Sequence, residues 1–164
     1  MTDPAHVVTV RFHLNGRAEQ VEVPTSLTLT DLLRDRFGLS GVKFSCSRGV
    51  CGVCTVLVDG DPVASCSQFS FQIEGRAVQT IEGLRGDVPH AVQRAFTEHG
   101  GFQCGYCTPG MVLTAKALLD RNAAPDRAEV VEWMSSNVCR CTGYEAIVES
   151  VLAAAEMLRR QPRA

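Results

Sequence analysis

Cysteine is the residue type in this chain with the most chemistry to offer. The sequence of 164 residues carries eight of them, at positions 46, 51, 54 and 66 and then at 104, 107, 139 and 141. Thiols can bind metal, exchange electrons or pair as disulfides, and compartment and spacing decide which. Residues 1–10 include Asp3 and Pro4 and lack a basic start, a twin-arginine pair or an apolar stretch. The reading is therefore a chain without a secretory leader, in the cytoplasm. Thiols stay reduced there, which sets disulfides aside and brings metal binding or redox chemistry forward.

The first quartet lies in Cys46-Ser47-Arg48-Gly49-Val50-Cys51-Gly52-Val53-Cys54, with Cys66 standing alone downstream. Its C-x4-C-x2-C…C spacing is the plant-type [2Fe–2S] pattern, three thiolates on one tight loop and a fourth from a neighbouring strand. Such a loop must turn several N–H groups toward an anionic cluster. Gly49 and Gly52 suit it, because glycine reaches positive φ without a Cβ penalty. A structural zinc site usually pairs two short knuckles, which this arrangement fits poorly.

The second quartet is split between Gln103-Cys104-Gly105-Tyr106-Cys107-Thr108-Pro109-Gly110 and Asn137-Val138-Cys139-Arg140-Cys141-Thr142-Gly143-Tyr144. Each pair precedes a predicted helix, whose free N–H groups and positive dipole end favour thiolates and an anionic cluster. Spacing alone leaves three readings: an iron–sulfur cluster, a zinc site, or a thioredoxin-like pair at Cys104 and Cys107. The last leaves Cys139 and Cys141 without a role.

The elements that must hold these residues change character near the middle of the chain. Val8, Val10, Phe12 and Leu14 alternate with polar residues, then Asn15-Gly16 leads to Val21 and Val23, which predicts a hairpin with a type I′ turn. A short helix is expected over 30–37, capped by Thr30 and stopped by Gly38. Thr55 to Val58, the turn Asp59-Gly60 and Pro62 to Ser65 predict a second hairpin, with one more strand over 77–81. Beyond the breakers Gly83, Gly86 and Pro89 the period becomes helical. Four short helices are expected: one from Val88 through Phe96, one from Thr108-Pro109 with Val112, Ala115, Leu118 and Leu119 inward, one after Asp126, and one from Ile147 to Leu158. With a boundary near 82–88, residues 1–82 form a small α+β unit and 83–164 a helical one, with one quartet each.

Composition excludes other classes. Sixteen basic against 18 acidic residues leave a net charge of −2, and no basic block is present, so a nucleic-acid partner has no electrostatic support. No apolar run is long enough to span a membrane. No internal repeat is visible.

The loop Cys46 to Cys54 and the segments Gln103 to Gly110 and Asn137 to Tyr144 together resemble the small iron–sulfur subunit of the molybdenum hydroxylases, the xanthine dehydrogenase and aerobic carbon monoxide dehydrogenase group. The likeness runs from about residue 6 to 159. It implies a plant-type ferredoxin-like (β-grasp) domain followed by an all-α four-helix-bundle domain, each holding one [2Fe–2S] cluster. It further implies partners: a large subunit with a molybdenum–pterin cofactor, a medium subunit with FAD, and a dimer of heterotrimers. By motif, Cys104, Cys107, Cys139 and Cys141 would hold the cluster nearest the pterin, and Cys46, Cys51, Cys54 and Cys66 the one facing the flavin. Gln103 matches a glutamine that touches the pterin across the interface. Ser45 and Ser47-Arg48 depart from the usual filling of the first loop, which affects hydrogen bonding and flavin-side charge rather than ligation.

The function implied is an electron relay during oxidative hydroxylation, with an N-heterocyclic or other organic substrate favoured. The alternatives are the small subunit of an aerobic carbon monoxide dehydrogenase, a free two-cluster carrier, or a structural zinc module. A free carrier is expected to be markedly acidic, and −2 is weak. His6, His13, His90 and His99 form no ligand motif and are assigned packing or solvated roles. Thr108 and Thr142 are expected to cap helices, and Trp133, Met134 and Met157 to serve core or subunit contacts.

Overall fold

The computed structural model describes residues 6–160; residues 1–5, with the Asp3 and Pro4 used above, and 161–164 lie outside the described residues. Strand β1 (Val7–Leu14) buries Val10, Phe12 and Leu14 and exposes Thr9, Arg11 and His13, as period-2 alternation requires. Asn15 and Gly16 take φ of 51° and 82°, the type I′ geometry, and return the chain as β2 (Arg17–Pro24). The second hairpin is β3 (Thr55–Val58) and β4 (Asp61–Ala64). A short β5 (Ala77–Gln79) runs parallel to β1 and antiparallel to β3, giving the sheet order β2-β1-β5-β3-β4. β5 ends earlier than the sequence suggests because Asn15 takes over at Thr80. The Asn15 Oδ1 accepts the Thr80 N–H at 2.9 Å, and the chain turns into a 3₁₀ segment, Ile81–Leu84.

The first helix differs from expectation at its start. Thr28, not Thr30, is the cap: it has extended dihedrals (φ −75°, ψ 156°), and its Oγ1 accepts the Asp31 N–H at 3.2 Å. Helix α1 (Leu29–Asp31) continues as a π-helical turn, Leu32–Arg36, burying Leu29, Leu32 and Leu33 against the sheet. Gly38 ends it at φ 66°. Thr30 is instead fully buried, and its hydroxyl meets Ser65 Oγ at 2.6 Å.

Four helices follow: α2 (Ala91–Glu98), α3 (Thr108–Arg121), α4 (Arg127–Met134) and α5 (Glu145–Arg160). Helix α2 starts later than Val88, which is exposed, because His90 caps it: Nδ1 accepts the Val92 N–H at 3.3 Å. Burial, helped by the nearby Lys116, pulls the His90 imidazole below its ordinary pKa and keeps that acceptor neutral. Thr108 does not cap α3. The Cys107 carbonyl already accepts the Met111 N–H at 3.0 Å, so Thr108 is the first helical residue and Cys107 holds the cap position. The helix expected after Asp126 is α4, and Asp126 caps it, accepting the Glu129 N–H at 2.8 Å. The helices close a ring, α2 on α3, α3 on α4, α4 on α5 and α5 on α2. Val112, Ala115, Leu118 and Leu119 all point inward.

All four residues of β3 are buried, so both faces of the strand are covered. Val56 and Val58 belong to the core under the sheet; Leu57, with Val53 and Leu84, belongs to the core of the helices. The two halves therefore share apolar packing across β3. Among the described residues no helix is long and apolar enough to cross a membrane. Leu57 is 1% exposed. Leu57→Ala should cost about 2–5 kcal/mol, read as a lower urea midpoint by far-UV circular dichroism; a loss under about 0.5 kcal/mol would contradict a core running across the strand.

Candidate iron–sulfur centres

The chain between α1 and β3 has no regular hydrogen-bond ladder, so its N–H groups are free to point elsewhere. Several point at sulfur. Cys46 Sγ accepts from Val50 N–H and Cys51 N–H, both at 3.4 Å, and Cys66 Sγ accepts from Gly49 N–H at 3.2 Å. The required bend puts Ser47, Gly49 and Gly52 at φ of 57°, 73° and 70°, the region that glycine enters freely. The N–H groups of Arg48, Cys51 and Val50 bring the Cys46 thiol down to about 6, so it is a thiolate, the ligating form, at neutral pH. Cys66 behaves oppositely: burial, with Cys54 beside it, pushes it up to about 11. The quartet thus stands as two pairs, Cys46 with Cys51 and Cys54 with Cys66. Beneath the second pair Ser65 Oγ donates to the Cys54 carbonyl at 2.6 Å. With its proton committed, Ser65 accepts from Thr30.

The second quartet comes together from the turn before α3 and the turn before α5. All four cysteines line one cavity of about 200 Å³, with Cys51 and Val53 of the first loop on its wall. The Cys141 thiol reaches Cys104 Sγ at 3.5 Å, a contact that holds the Cys141 pKa up. Burial pushes Cys107 up to about 12, with Cys139 next to it adding to the effect. For Cys139, burial acts upward, but the Thr142 hydroxyl at 3.2 Å and the N–H groups of Thr142 and Cys141 outweigh it and lower the thiol overall. Thr142 also accepts the Tyr144 N–H at 3.2 Å, but that turn lies ahead of α5: the Tyr144 carbonyl accepts the Val148 N–H at 2.9 Å, so Tyr144, not Thr142, holds the cap position.

The donor set can be tested against a metal. Among the described residues no three of His, Cys, Asp or Glu converge as ligands of a single ion. They stand in twos instead. Two thiolates about 2.3 Å from one tetrahedral metal lie roughly 3.8 Å apart, close to the Cys104–Cys141 separation of 3.5 Å. Two pairs per site, with N–H groups aimed at sulfur, fit a two-iron cluster.

The two sites are wired together by the backbone. Val138 N–H donates to the Cys51 carbonyl at 2.8 Å, so a residue of the first quartet touches the neighbour of Cys139 directly. The Tyr106 hydroxyl, between Cys104 and Cys107, donates to the Phe44 carbonyl near Cys46. Tyr144 braces the other side: its oxygen accepts the Cys139 N–H at 2.8 Å and its hydroxyl donates to the Asn137 carbonyl at 3.0 Å. Those bonds hold Tyr144 at φ 70°, unusual for a bulky residue. Sequence reasoning missed Thr30, Ser65, Tyr106 and Tyr144 as supports, since a lone hydroxyl has no spacing signature. Gln103 is exposed beside the exposed Cys104. His13 and His99 are also exposed and join neither site.

Comparison with known proteins agrees with this geometry. Residues 12–80 match the 2Fe-2S iron-sulfur cluster binding domain family, and residues 80–152 match the [2Fe-2S] binding domain family. The chain is 47% identical to the nicotinate dehydrogenase small FeS subunit of Eubacterium barkeri, over 91% of this chain and 96% of the relative. It is 44% identical to the nicotine 6-hydroxylase small subunit of Paenarthrobacter nicotinovorans, over 92% of each. Among solved structures, quinoline 2-oxidoreductase from Pseudomonas putida 86 superposes with a TM-score of 0.89 at 44% identity, covering 94% of this chain and 97% of that one. Eight paired cysteines, two linked sites and these relatives lead to one assignment: the chain belongs to the small iron–sulfur subunits of the molybdenum hydroxylase family, the electron-transferring parts of oxidoreductase complexes.

Proposed function

We propose that this subunit carries electrons from a molybdenum–pterin centre on a large partner to FAD on a medium partner, during hydroxylation of an N-heterocyclic organic substrate. The observation that carries the reading is the Val138–Cys51 hydrogen bond of 2.8 Å, which joins the two cysteine sites without an intervening side chain. Nicotinate, nicotine and quinoline, in the names of the relatives above, are all N-heterocycles and favour that substrate class. The organisation that goes with it is a β-grasp half, residues 1–82, and a four-helix-bundle half, 83–164, in a cytoplasmic dimer of heterotrimers.

In this reading Cys46 and Cys51 hold one iron of the first site and Cys54 and Cys66 the other. Cys104 with Cys141, and Cys107 with Cys139, hold those of the second. When bound, the clusters supply one-electron carriers, so that a two-electron oxidation reaches a flavin in single steps. The protein's own contribution is to lower the Cys46 and Cys139 thiols with N–H and hydroxyl donors, bury Cys54, Cys66 and Cys107, and hold the two loops in contact. Cys104, Cys141 and Gln103 lie on the outer side of the second site, which suits Gln103 to touching the pterin across the interface. Phe44, Val50, Phe102, Tyr106 and Val138 are exposed apolar residues in or beside the cysteine segments. A collar of that kind around the sites suits burial by partner subunits.

Purified in air, the chain should be red-brown and contain about four iron and about four acid-labile sulfide. About two irons would remove one of the two clusters; a colourless zinc protein would remove both. In the assembled complex Cys107→Ala should leave substrate able to reduce the molybdenum while flavin reduction stalls, followed by stopped-flow absorbance. Rapid flavin reduction in that variant would exclude the second site from the route. Cys51→Ala should leave the second site reducible, stop transfer beyond it, and lower the thermal midpoint of the sheet half, because metal-binding energy contributes to folding.

A further inference from the structure

Asn137 sits where the two cysteine loops meet and is 1% exposed. Its backbone is fixed on both sides: the N–H donates to the Met134 carbonyl at 3.2 Å and the carbonyl accepts from Tyr144. Its carboxamide lies between two glycines from different parts of the chain. A Cβ on Gly52 would stand 1.9 Å from Asn137 Oδ1, and one on Gly110 would stand 2.9 Å from Nδ2 and 2.7 Å from the Gly52 carbonyl oxygen. Thr55 completes the slot, donating to the Gly52 carbonyl at 2.6 Å with its Oγ1 3.4 Å from Asn137 Oδ1. One amide therefore fills the space that two absent side chains leave.

The amide occupies this slot at a cost. Asn137 Nδ2 is shut off from solvent and has no hydrogen-bond partner among the described residues. An unpaired buried amide is unfavourable, and a leucine of similar size would avoid the penalty. A branched tetrahedral side chain does not fit a slot between two backbones, however, and a planar group does. The residue that follows Asn137 supplies the N–H bonded to Cys51, and the one after that is Cys139.

We propose that Asn137 is a positioning residue: its carboxamide is a spacer between Gly52 and Gly110 that fixes the separation of the two cysteine sites and keeps the Cys51 carbonyl on the Val138 N–H. The inference rests on the reading that both quartets hold [2Fe–2S] clusters. The spacer makes the separation single-valued. Without it the first loop and the start of α3 can slide, and the link between the sites loosens.

The test uses the full chain loaded with iron and sulfide, and then its complex. When both clusters are reduced, low-temperature EPR reads the magnetic interaction between them, which depends steeply on separation and is unaffected by a merely structural role. Asn137→Leu should push the backbones apart and narrow the spin–spin splitting; Asn137→Ala should broaden the lines as the separation spreads. Both should keep about four iron per chain. In the complex, transfer between the sites should slow several-fold, since electron tunnelling between fixed centres falls with their separation. Wild-type splitting, line width and transfer rate in both variants would overturn the proposal. If either variant loses a cluster, Thr55→Val, which removes the hydroxyl between Gly52 and Asn137 at nearly constant shape, decides it: an altered splitting supports the spacer and an unaltered one overturns it. A wild-type chain without two cluster signals would refute the cluster assignment itself, a result separate from an unchanged splitting.

Discussion

Four thiolates around a two-iron centre are an anion, and the unusual backbone of this protein follows from the need to surround that charge with N–H groups. A sheet or helix spends its N–H groups on its own ladder, so neither can supply them except at an end. The protein uses both remaining options. Around Cys46 the chain forgoes regular structure and bends through positive φ at Ser47, Gly49 and Gly52, turning Val50, Cys51 and Gly49 N–H groups onto sulfur. Around Cys104 and Cys139 it places the thiols just ahead of α3 and α5, where helix N-termini leave N–H groups free. The effect on chemistry is direct, since such N–H groups draw Cys46 down to about 6, while at Cys107, 8% exposed, burial outweighs its backbone donor and pushes the thiol up to about 12.

The same requirement explains why the two halves are not packed as separate bodies. A loop without regular structure has little stiffness of its own, and its neighbours must supply it. For the first loop these are the buried Thr30–Ser65–Cys54 chain of hydroxyls on one side and the Asn137 slot on the other. β3 follows the loop immediately and is covered on both faces, with Val56 and Val58 in one core and Leu57 in the other. A rigid strand anchored in two cores is a firm support for a flexible ligand loop, and it transmits that firmness to both sites together.

What the sequence disclosed and what it hid divide along the range of the interactions. The β1–β2 hairpin was legible because Asn15-Gly16 and the alternation of Val10, Phe12 and Leu14 are local, and the helix after Asp126 was legible for the same reason. The α1 cap was misread by two residues because Thr28 and Thr30 are chemically alike, and only the distant Ser65 decides which one is buried. The start of α3 shifted because a cysteine carbonyl, rather than the threonine hydroxyl, takes the first helical bond. The cysteine grouping was plain from spacing, whereas its supports were not: Tyr144 and Tyr106 act on atoms identified only once the chain is folded.

Burial then gives each site a direction. In the second site Cys104 and Cys141 are exposed, while Cys107 is buried and Cys139 half-buried. The buried pair is the one next to Val138, hence next to Cys51, and the exposed pair is beside Gln103. An electron arriving from outside would thus meet the solvent-facing pair first and leave through the pair screened from water. This order suits transfer between protein sites, because a low-dielectric interior without mobile water undergoes less reorganisation when charge moves. The first site reverses the pattern along the chain: Cys46 and Cys51 are half-buried and Cys54 and Cys66 buried, with Val50, 68% exposed, marking its outer rim. Exposed apolar side chains, Val50 beside the first site, Phe102 beside the second and Val138 at the link between them, leave the proposed relay to be insulated by the partners that cover it. That is the physical reason this chain is built as a subunit.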